Sequence, residues 1–434
     1  MKILHTVESY LPARHGMSEV VRQISERLAA RGHDVTVATG VHASRKEDEI
    51  NGVKVVSFPL SGKSAIHVFG DAKAYEHFLR ESSFDVITNF AAQQWATDLM
   101  LPILDKIGAK KVFVPTGFSA LGDPAFKNYF EHMKSWMPKY DACVFLSDDY
   151  RDTDFARKVG VTKMAIIPNG AAADEFDMPP DTTLRKKLRV PDGTGLVLHV
   201  SGYLSAAKGQ IEAIRIFSKS RLKNATLLLV CPDFQRGWAS ELTPRNLARG
   251  LWWFLRGKGL RGFAPSWQIA ASLAFYRRRN EQAGRSIRRV SLDREETVSV
   301  FKQADLLLFP SWIECSPLVL FEAAAAGTPF LVTDVGNARE IISWTGGGKI
   351  LTGKRLSDRE GSILADAAAG AKALDSLWFD PARRKRMATS ARSAWRSHFT
   401  WEKIAERYEE LYATLVAGES VAGRFPAPPK ICAA

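Results

Sequence analysis

The chain alternates short apolar runs with amphipathic stretches from its first residues. Ile3 to Val7 reads as a strand, a loop follows through Pro12 and Gly16, and Ser18 to Arg31 carries Val20, Val21, Ile24 and Leu28 at helical spacing. Gly32 stops that helix and Val35 to Ala38 supplies the next strand, which completes a strand–helix–strand unit. Further strand-like runs at Val53 to Phe58, Val86 to Asn89, Lys111 to Pro115, Ala142 to Leu146 and Ala165 to Pro168 predict a parallel sheet covered by helices. The polar, proline-rich stretch Met178-Pro179-Pro180-Asp181 breaks the rhythm, and it restarts with Leu196 to Ser201. A second series follows, with strands at Ala225 to Val230, Leu306 to Phe309 and Phe330 to Thr333 and helices at Gln210 to Ser218, Glu295 to Gln303 and Pro317 to Ala326.

The predicted fold class is therefore α/β, with two doubly wound, Rossmann-like domains over 1–190 and 191–390. Ligands of such sheets sit at the carboxyl ends of the strands, which directs attention to the loops after Ser201, Phe309 and Thr333. Beyond Ala382 the pattern predicts two helices, with 391–416 returning to the first domain, and 417–434 reads as a flexible, Pro/Gly/Ala-rich tail.

Composition agrees with two cores: the chain has 434 residues, 46% of them hydrophobic. The apolar start is too short for a signal peptide, and no run reaches the roughly 18 to 20 residues of a membrane span. Cytoplasmic residence is the expectation. Cys143, Cys231, Cys315 and Cys432 lie far apart, without the spacing of a zinc site or a disulfide framework, and read as reduced thiols. The net charge of +13 is unevenly placed. Residues 235–290 hold twelve lysines and arginines against two glutamates, interleaved with Trp252, Trp253, Phe254, Phe263, Trp267, Phe275 and Tyr276. Such a segment fits peripheral docking at an anionic membrane surface, which we favour over nucleic-acid binding and over a solvated basic face.

The densest chemical pattern is Phe309-Pro-Ser-Trp-Ile-Glu314-Cys315-Ser316-Pro317-Leu318-Val319-Leu-Phe-Glu322, followed by Ala-Ala-Ala-Ala-Gly327-Thr-Pro. A buried strand ends at Phe309, and Ser316-Pro317 reads as an N-cap with proline at the first helical position. Helix N–H groups there would face an anion such as a diphosphate. Glu322 lies about a turn and a half into the helix, where a carboxylate can accept hydrogen bonds from paired ribose hydroxyls. Glu314, before the helix, is placed to meet a sugar. Lys208, in Lys-Gly after a strand, is the candidate cation.

These residues bring out a resemblance. Glu314-x7-Glu322 with Ala-x-x-x-Gly-x-Pro resembles the motif of family 4 of the retaining glycosyltransferases, whose fold is the GT-B arrangement of two facing Rossmann-like domains. His15-Gly16-Met17-Ser18-Glu19, Ile167-Pro168-Asn169-Gly170, Gly202-Tyr203-Leu204 to Lys208-Gly209, and Thr333-Asp334-Val335-Gly336 resemble further landmarks of the family in order. The resemblance implies a nucleotide-sugar donor, UDP- or GDP-linked, with no metal or other cofactor. It also implies catalytic roles for Glu314 and Lys208, and donor contacts from Gly16, Gly202, Tyr203, Lys208, Glu314, Cys315, Ser316, Leu318, Val319 and Glu322. The implied acceptor is a glycan or a lipid-linked molecule, in cell-surface polysaccharide or glycolipid synthesis at the inner face of the membrane.

Four places depart from the family pattern, among them Asn169-Gly170 continuing as Ala-Ala-Ala-Asp174 and Val230-Cys231-Pro232 in place of a glycine-rich turn. Tyr203 stands where relatives usually have arginine, and Thr116-Gly117 where they often have His-Gly. These departures keep open a non-catalytic scaffold or nucleotide-binding regulatory subunit, and a nucleotide-sugar epimerase on the same fold. His15 and Asn89 are further candidates for a cleft.

Overall fold

The computed structural model describes residues 1–231, 265–356 and 361–431. The chain forms two compact units, one of Met1–Ala172 with Ser397–Pro429, the other of Ala173–Arg396 with the chain end from Lys430. The units part at Ala172, earlier than the expected boundary near 190. The polar appearance of that stretch hides two anchors: Phe176 and Leu184 are both 1% exposed, and Phe176 packs edge-on against Phe301 and Trp395 of the second unit.

In the first unit, strands β1 (Lys2–Thr6), β2 (Asp34–Gly40), β3 (Glu49–Ile50), β4 (Val53–Phe58), β7 (Val86–Phe90), β8 (Lys110–Val114), β9 (Ala142–Phe145) and β10 (Met164–Ile166) form one sheet. Its order is β10-β9-β8-β7-β1-β2-β4-β3, parallel throughout except for β3 against β4. A small hairpin, β5 (Ser61–Lys63) and β6 (His67–Phe69), stands apart from it. The central strands are buried on both faces because helices cover both, as in Val86–Phe90, where every residue is buried, the polar Thr88 and Asn89 included.

The helix Trp401–Val416 packs on the helix Gly16–Ala30 within this unit. Its Tyr412 hydroxyl lies 3.1 Å from His5 Nε2 and 2.7 Å from Thr88 Oγ1, while His5 Nδ1 meets Ser25 Oγ at 2.7 Å. Burial pushes the His5 pKa down to about 3, so the ring is neutral and its nitrogens are shared among hydroxyls. The expected flexible tail is corrected here. Val421 and Phe425 are buried, and the Ile166 N–H donates to the Phe425 carbonyl at 2.9 Å, so two apolar residues in a Pro/Gly/Ala-rich stretch suffice to dock it.

In the second unit, β11 (Gly195–Val200), β12 (Ala225–Val230), β13 (Ser286–Val290), β14 (Leu306–Phe309), β15 (Phe330–Thr333) and β16 (Gly348–Leu351) form a parallel sheet in the order β13-β12-β11-β14-β15-β16. β13 falls inside the basic segment, where sequence reading saw no strand. It is an edge strand with partly exposed faces, so Arg288 and Arg289 are tolerated and the usual apolar run is missing.

Arg285 is corrected as well. It is 6% exposed, and its guanidinium donates to the carbonyls of Phe217, Ser218 and Ser220 at 3.2, 3.2 and 2.7 Å. It therefore caps the C-terminal end of the helix Gln210–Lys219 rather than facing a membrane or solvent. Phe275 is 80% exposed on the helix Pro265–Gln282, beside the exposed Arg277, Arg278 and Arg279. The rest of the expected membrane segment, from 235 to 264, lies outside the described residues. Among the described residues no helix is long and apolar enough to cross a membrane.

Candidate functional site

The second unit concentrates its chemistry at the carboxyl ends of β11 and β14. The turn Ala206–Lys208 after β11 is stitched to the loop after β14: the Trp312 N–H donates to the Ala207 carbonyl at 2.7 Å, and Ser311 Oγ lies 3.0 Å from the same oxygen. Gly209 makes the approach sterically feasible. Its φ is +76°, and a Cβ there would lie 2.1 Å from the Pro310 carbonyl oxygen. These contacts place Lys208 Nζ 2.8 Å from Glu314 Oε1, which also accepts from Ser311 Oγ at 2.7 Å. The side chains of the pair are 18% and 13% exposed, enough for a ligand to reach and too little for water to screen them fully.

On the far side of Glu314 the loop after β15 closes in. Gly336 has φ +55°, a Cβ on it would fall 2.1 Å from the Cys315 carbonyl oxygen, and the Asn337 N–H donates to that carbonyl at 2.9 Å. The three strand-end loops singled out from the sequence are thus joined around Glu314 and Cys315.

The helix after this loop begins one residue later than expected. It spans Leu318–Ala326, with Pro317 at the N-cap in extended conformation (φ −70°, ψ 116°) and no side-chain cap. The proline ring fixes φ but leaves ψ free, so Pro317 sits outside the helix, and Ser316 does not serve as the cap. The first N–H groups, those of Leu318 and Val319, have no acceptor within the helix. An uncapped helix start favours an anion, and Glu314, the partner of Lys208, lies on the loop that leads into it.

Glu322 is only 7% exposed and is not joined to the Lys208–Glu314 pair. Its Oε1 is held by Nη1 of Arg294, whose Nε and Nη2 bind Glu175 Oε2 at 3.0 and 2.5 Å. Sequence reading missed Arg294 and Glu175, which lie 28 and 147 positions from Glu322. One local hint existed: Arg294 opens a helix, where the dipole disfavours a cation unless carboxylates hold it.

Tyr203 is 56% exposed and lies under Lys208, with Nζ 5.1 Å from its ring centroid. The ring offers the ammonium a π face in place of the arginine common in relatives. Gly202 has no left-handed φ and open space where a Cβ would stand, and the same is true of Gly16 at the start of the helix Gly16–Ala30. Neither glycine is required by the protein's own packing. Gly16 belongs to the first unit, and the other donor candidates belong to the second.

In the first unit the other candidates resolve differently. Asn89 is fully buried, donating to Thr6 Oγ1 and accepting from the Tyr140 hydroxyl, both at 2.8 Å, which makes it a structural residue. His15 is the N-cap of its helix in a reciprocal box with Ser18, and burial lowers its pKa. Thr116 is left-handed at φ +58°, next to Gly117, whose N–H donates to Asp152 at 2.7 Å and whose carbonyl accepts from Arg151 at 2.6 Å. Burial raises the Asp152 pKa to about 6. Cys143, Cys231 and Cys315 are free thiols, and Cys432 lies outside the described residues. Among the described residues no group of three or more His, Cys, Asp or Glu is arranged to hold a metal ion.

Two family models match the chain: Glycosyltransferase Family 4 over residues 14–175, and Family 4 Glycosyltransferase in conflict systems over residues 264–407. Among similar proteins, the glycogen synthase of Mycobacterium tuberculosis is 33% identical over 130 residues, covering 30% of this chain and 28% of that protein. The match therefore spans less than a third of that relative's length. A D-inositol 3-phosphate glycosyltransferase of Xylanimonas cellulosilytica is 24% identical over 92% of this chain and 91% of its own length. Solved structures share the fold: sucrose-phosphate synthase from Thermosynechococcus elongatus gives a TM-score of 0.70 at 18% identity, covering 96% of this chain and all of that one. Anabaena Alr3699/HepE, solved in complex with UDP and glucose, gives 0.67 at 15% identity, covering 95% of this chain and all of its own.

Proposed function

The chain belongs to family 4 of the glycosyltransferases, with the GT-B fold, and from that membership we propose that it transfers a sugar from a nucleotide donor, with retention, to a hydroxyl of a glycan or lipid-linked acceptor. The observation that carries the reading is the Lys208–Glu314 pair at 2.8 Å, with Glu314 on the loop that leads into the uncapped start of the helix Leu318–Ala326. A diphosphate would meet Lys208 and the N–H groups of Leu318 and Val319, Glu314 would turn to the sugar hydroxyls, and Glu322 would accept from the ribose. Relatives of the same family include proteins named for glycogen and inositol-phosphate chemistry, and one fold neighbour was solved with UDP and glucose, which supports a UDP-linked hexose as the first donor to try.

In the proposed step the bond between the anomeric carbon and the diphosphate oxygen breaks, and the nucleoside diphosphate leaves with the bonding pair. The acceptor oxygen bonds to the same face of the sugar, and its proton passes to the departing phosphate. Lys208 stabilises the charge that grows there, an effect worth on the order of 3–4 kcal/mol for a single well-placed donor group. The test is a panel of UDP- and GDP-sugars, with release of nucleoside diphosphate followed for the wild type and Lys208→Met. The wild type should turn over at least one donor, and the variant should lose about two to three orders of magnitude in kcat. Nucleotide binding without turnover on any donor would favour the regulatory-subunit reading, and product without an acceptor the epimerase reading.

A further inference from the structure

We propose that Arg294 is a positioning residue of the donor site: it holds one oxygen of Glu322 so that the other is presented to the donor ribose. The inference rests on the reading of Glu322 as the ribose acceptor.

Glu322 is buried on the second turn of its helix, where a carboxylate needs a fixed cation to stay charged. Arg294 supplies that cation to Oε1 alone, and among the described residues Oε2 accepts no side-chain or backbone hydrogen bond. The guanidinium is itself immobilised. Its other edge lies on Glu175 Oε2 at 3.0 and 2.5 Å, and its Cζ lies 5.9 Å from the ring centroid of Phe176, which is 1% exposed. Its backbone is pinned by a capping box, in which Asp293 accepts from the Glu296 N–H at 2.8 Å and Glu296 accepts from the Asp293 N–H at 3.2 Å. Lys302 Nζ donates to the Glu175 carbonyl at 2.8 Å and fixes the last member.

The guanidinium engages only one of the two oxygens of Glu322. Glu322 thus remains an acceptor instead of being spent on its partner. A planar fork is needed to bridge both carboxylates at once, which a lysine cannot do. The ligand chemistry that matches a single oriented carboxylate oxygen is a pair of vicinal hydroxyls, as on a ribose.

The experiment compares binding of UDP and of GDP with their 2′-deoxy and 3′-deoxy analogues to the full chain, with inorganic pyrophosphate as a probe of the diphosphate subsite. The wild type should prefer the ribonucleotide by about tenfold or more. Arg294→Met should bring that preference to within about twofold of Glu322→Ala, leave pyrophosphate affinity unchanged, and add nothing in the double variant. Glu175→Gln, a milder change that keeps the shape, should shift the preference in the same direction by a smaller factor, and Arg294→Lys should not restore it. Retention of the ribose preference in both Arg294→Met and Glu175→Gln, with Glu322→Ala losing it, overturns the positioning role alone. Retention in Glu322→Ala overturns the ribose reading and this inference with it.

Discussion

The loops at the strand ends are braced by ions in one unit and largely by amides in the other. In the second unit the loops after β11 and β14 are tied by Lys208 and Glu314 across 2.8 Å. In the first, Gln94 accepts from the Glu8 N–H at 2.6 Å, and Gln93 accepts from Ser119 Oγ and the Ala120 N–H at 3.1 and 3.3 Å, joining the loops after β1, β7 and β8. The left-handed positions differ in the same way. The second unit uses Gly209 and Gly336, whereas the first uses Ala91, Gln93, Thr116 and Phe118, at φ between 45° and 63°, with only Gly117 of these strand-end positions a glycine, at φ 92°. An ion pair can be exchanged for a charged ligand with little change in the loop, since an anion can replace the carboxylate at the lysine while the carboxylate turns to hydroxyl donors. Amide ties have no charge to trade, so they fix loop shape whether or not a ligand is present. On the proposed reading of the site, the second unit would exchange a carboxylate for a phosphate at Lys208, while the first holds a contour.

The comparison breaks most readily at Gly209. Gly209→Ala must adopt a left-handed φ, at about 1–2 kcal/mol, and push its Cβ against the Pro310 carbonyl, at about 1–3 kcal/mol more. We expect a loss of at least about 2 kcal/mol in stability on those two costs. Turnover should fall as well, because Lys208 moves with the residue beside it. Denaturant unfolding and steady-state kinetics measure the two. A variant with full stability and full turnover would mean that the stitched turn does not place the lysine.

A second test addresses what the units share. Each carries a buried, neutral histidine on its first strand: His5, with its pKa lowered to about 3, and His199, lowered to about 4, both chiefly by burial. A folded pKa below the unfolded value means that the unfolded chain takes up the proton first. Stability is therefore complete above about pH 6.5 and falls as the pH drops towards the folded values, by about 1.4 kcal/mol per pH unit for each group. Between pH 7 and pH 5, His5 should cost about 2 kcal/mol. His5→Gln can still hydrogen-bond and cannot titrate. It should remove that part of the pH slope and leave the part due to His199, whatever its effect on absolute stability. An unchanged slope, measured by denaturant titration at the two pH values, would contradict the buried neutral ring.

Most of the scaffold was legible because the sheets are parallel and buried on both faces, so their strands stand out as apolar runs. Val53–Phe58, Ala225–Val230, Leu306–Phe309 and Phe330–Thr333 carry the same limits in the sequence reading and in the structure. β13 escaped because an edge strand does not need that run, and the docked tail escaped because Val421 and Phe425 are too few to form a pattern. In the site, Glu314 and Glu322 lie within one local motif and Lys208 stands in a Lys-Gly pair after a strand, so the sequence could put them forward as candidates, but the contact between Lys208 and Glu314 spans 106 positions and has no signal in spacing. Arg294 and Glu175 did not appear, because their roles come from contacts across 28 and 119 positions, for which linear spacing carries no signal.

The smallest expected effect bears on the contour of the first unit. Thr116 is β-branched and left-handed, a conformation that costs about 1–2 kcal/mol for a residue with a Cβ. It is held there by the hydrogen bonds that fix Gly117 from both sides, to Asp152 and from Arg151. Thr116→Gly removes that strain but adds freedom to the unfolded chain, which offsets roughly 0.5–1 kcal/mol of the gain. The net change should be a stabilisation of under about 1 kcal/mol. A glycine gains nothing where the backbone is relaxed, so a measurable loss of stability instead would place the value of Thr116 in its side chain. If the variant is more stable yet transfers sugar less well while still binding the donor nucleotide normally, the strain serves the acceptor side of the reaction, and the first unit's fixed contour has a functional cause.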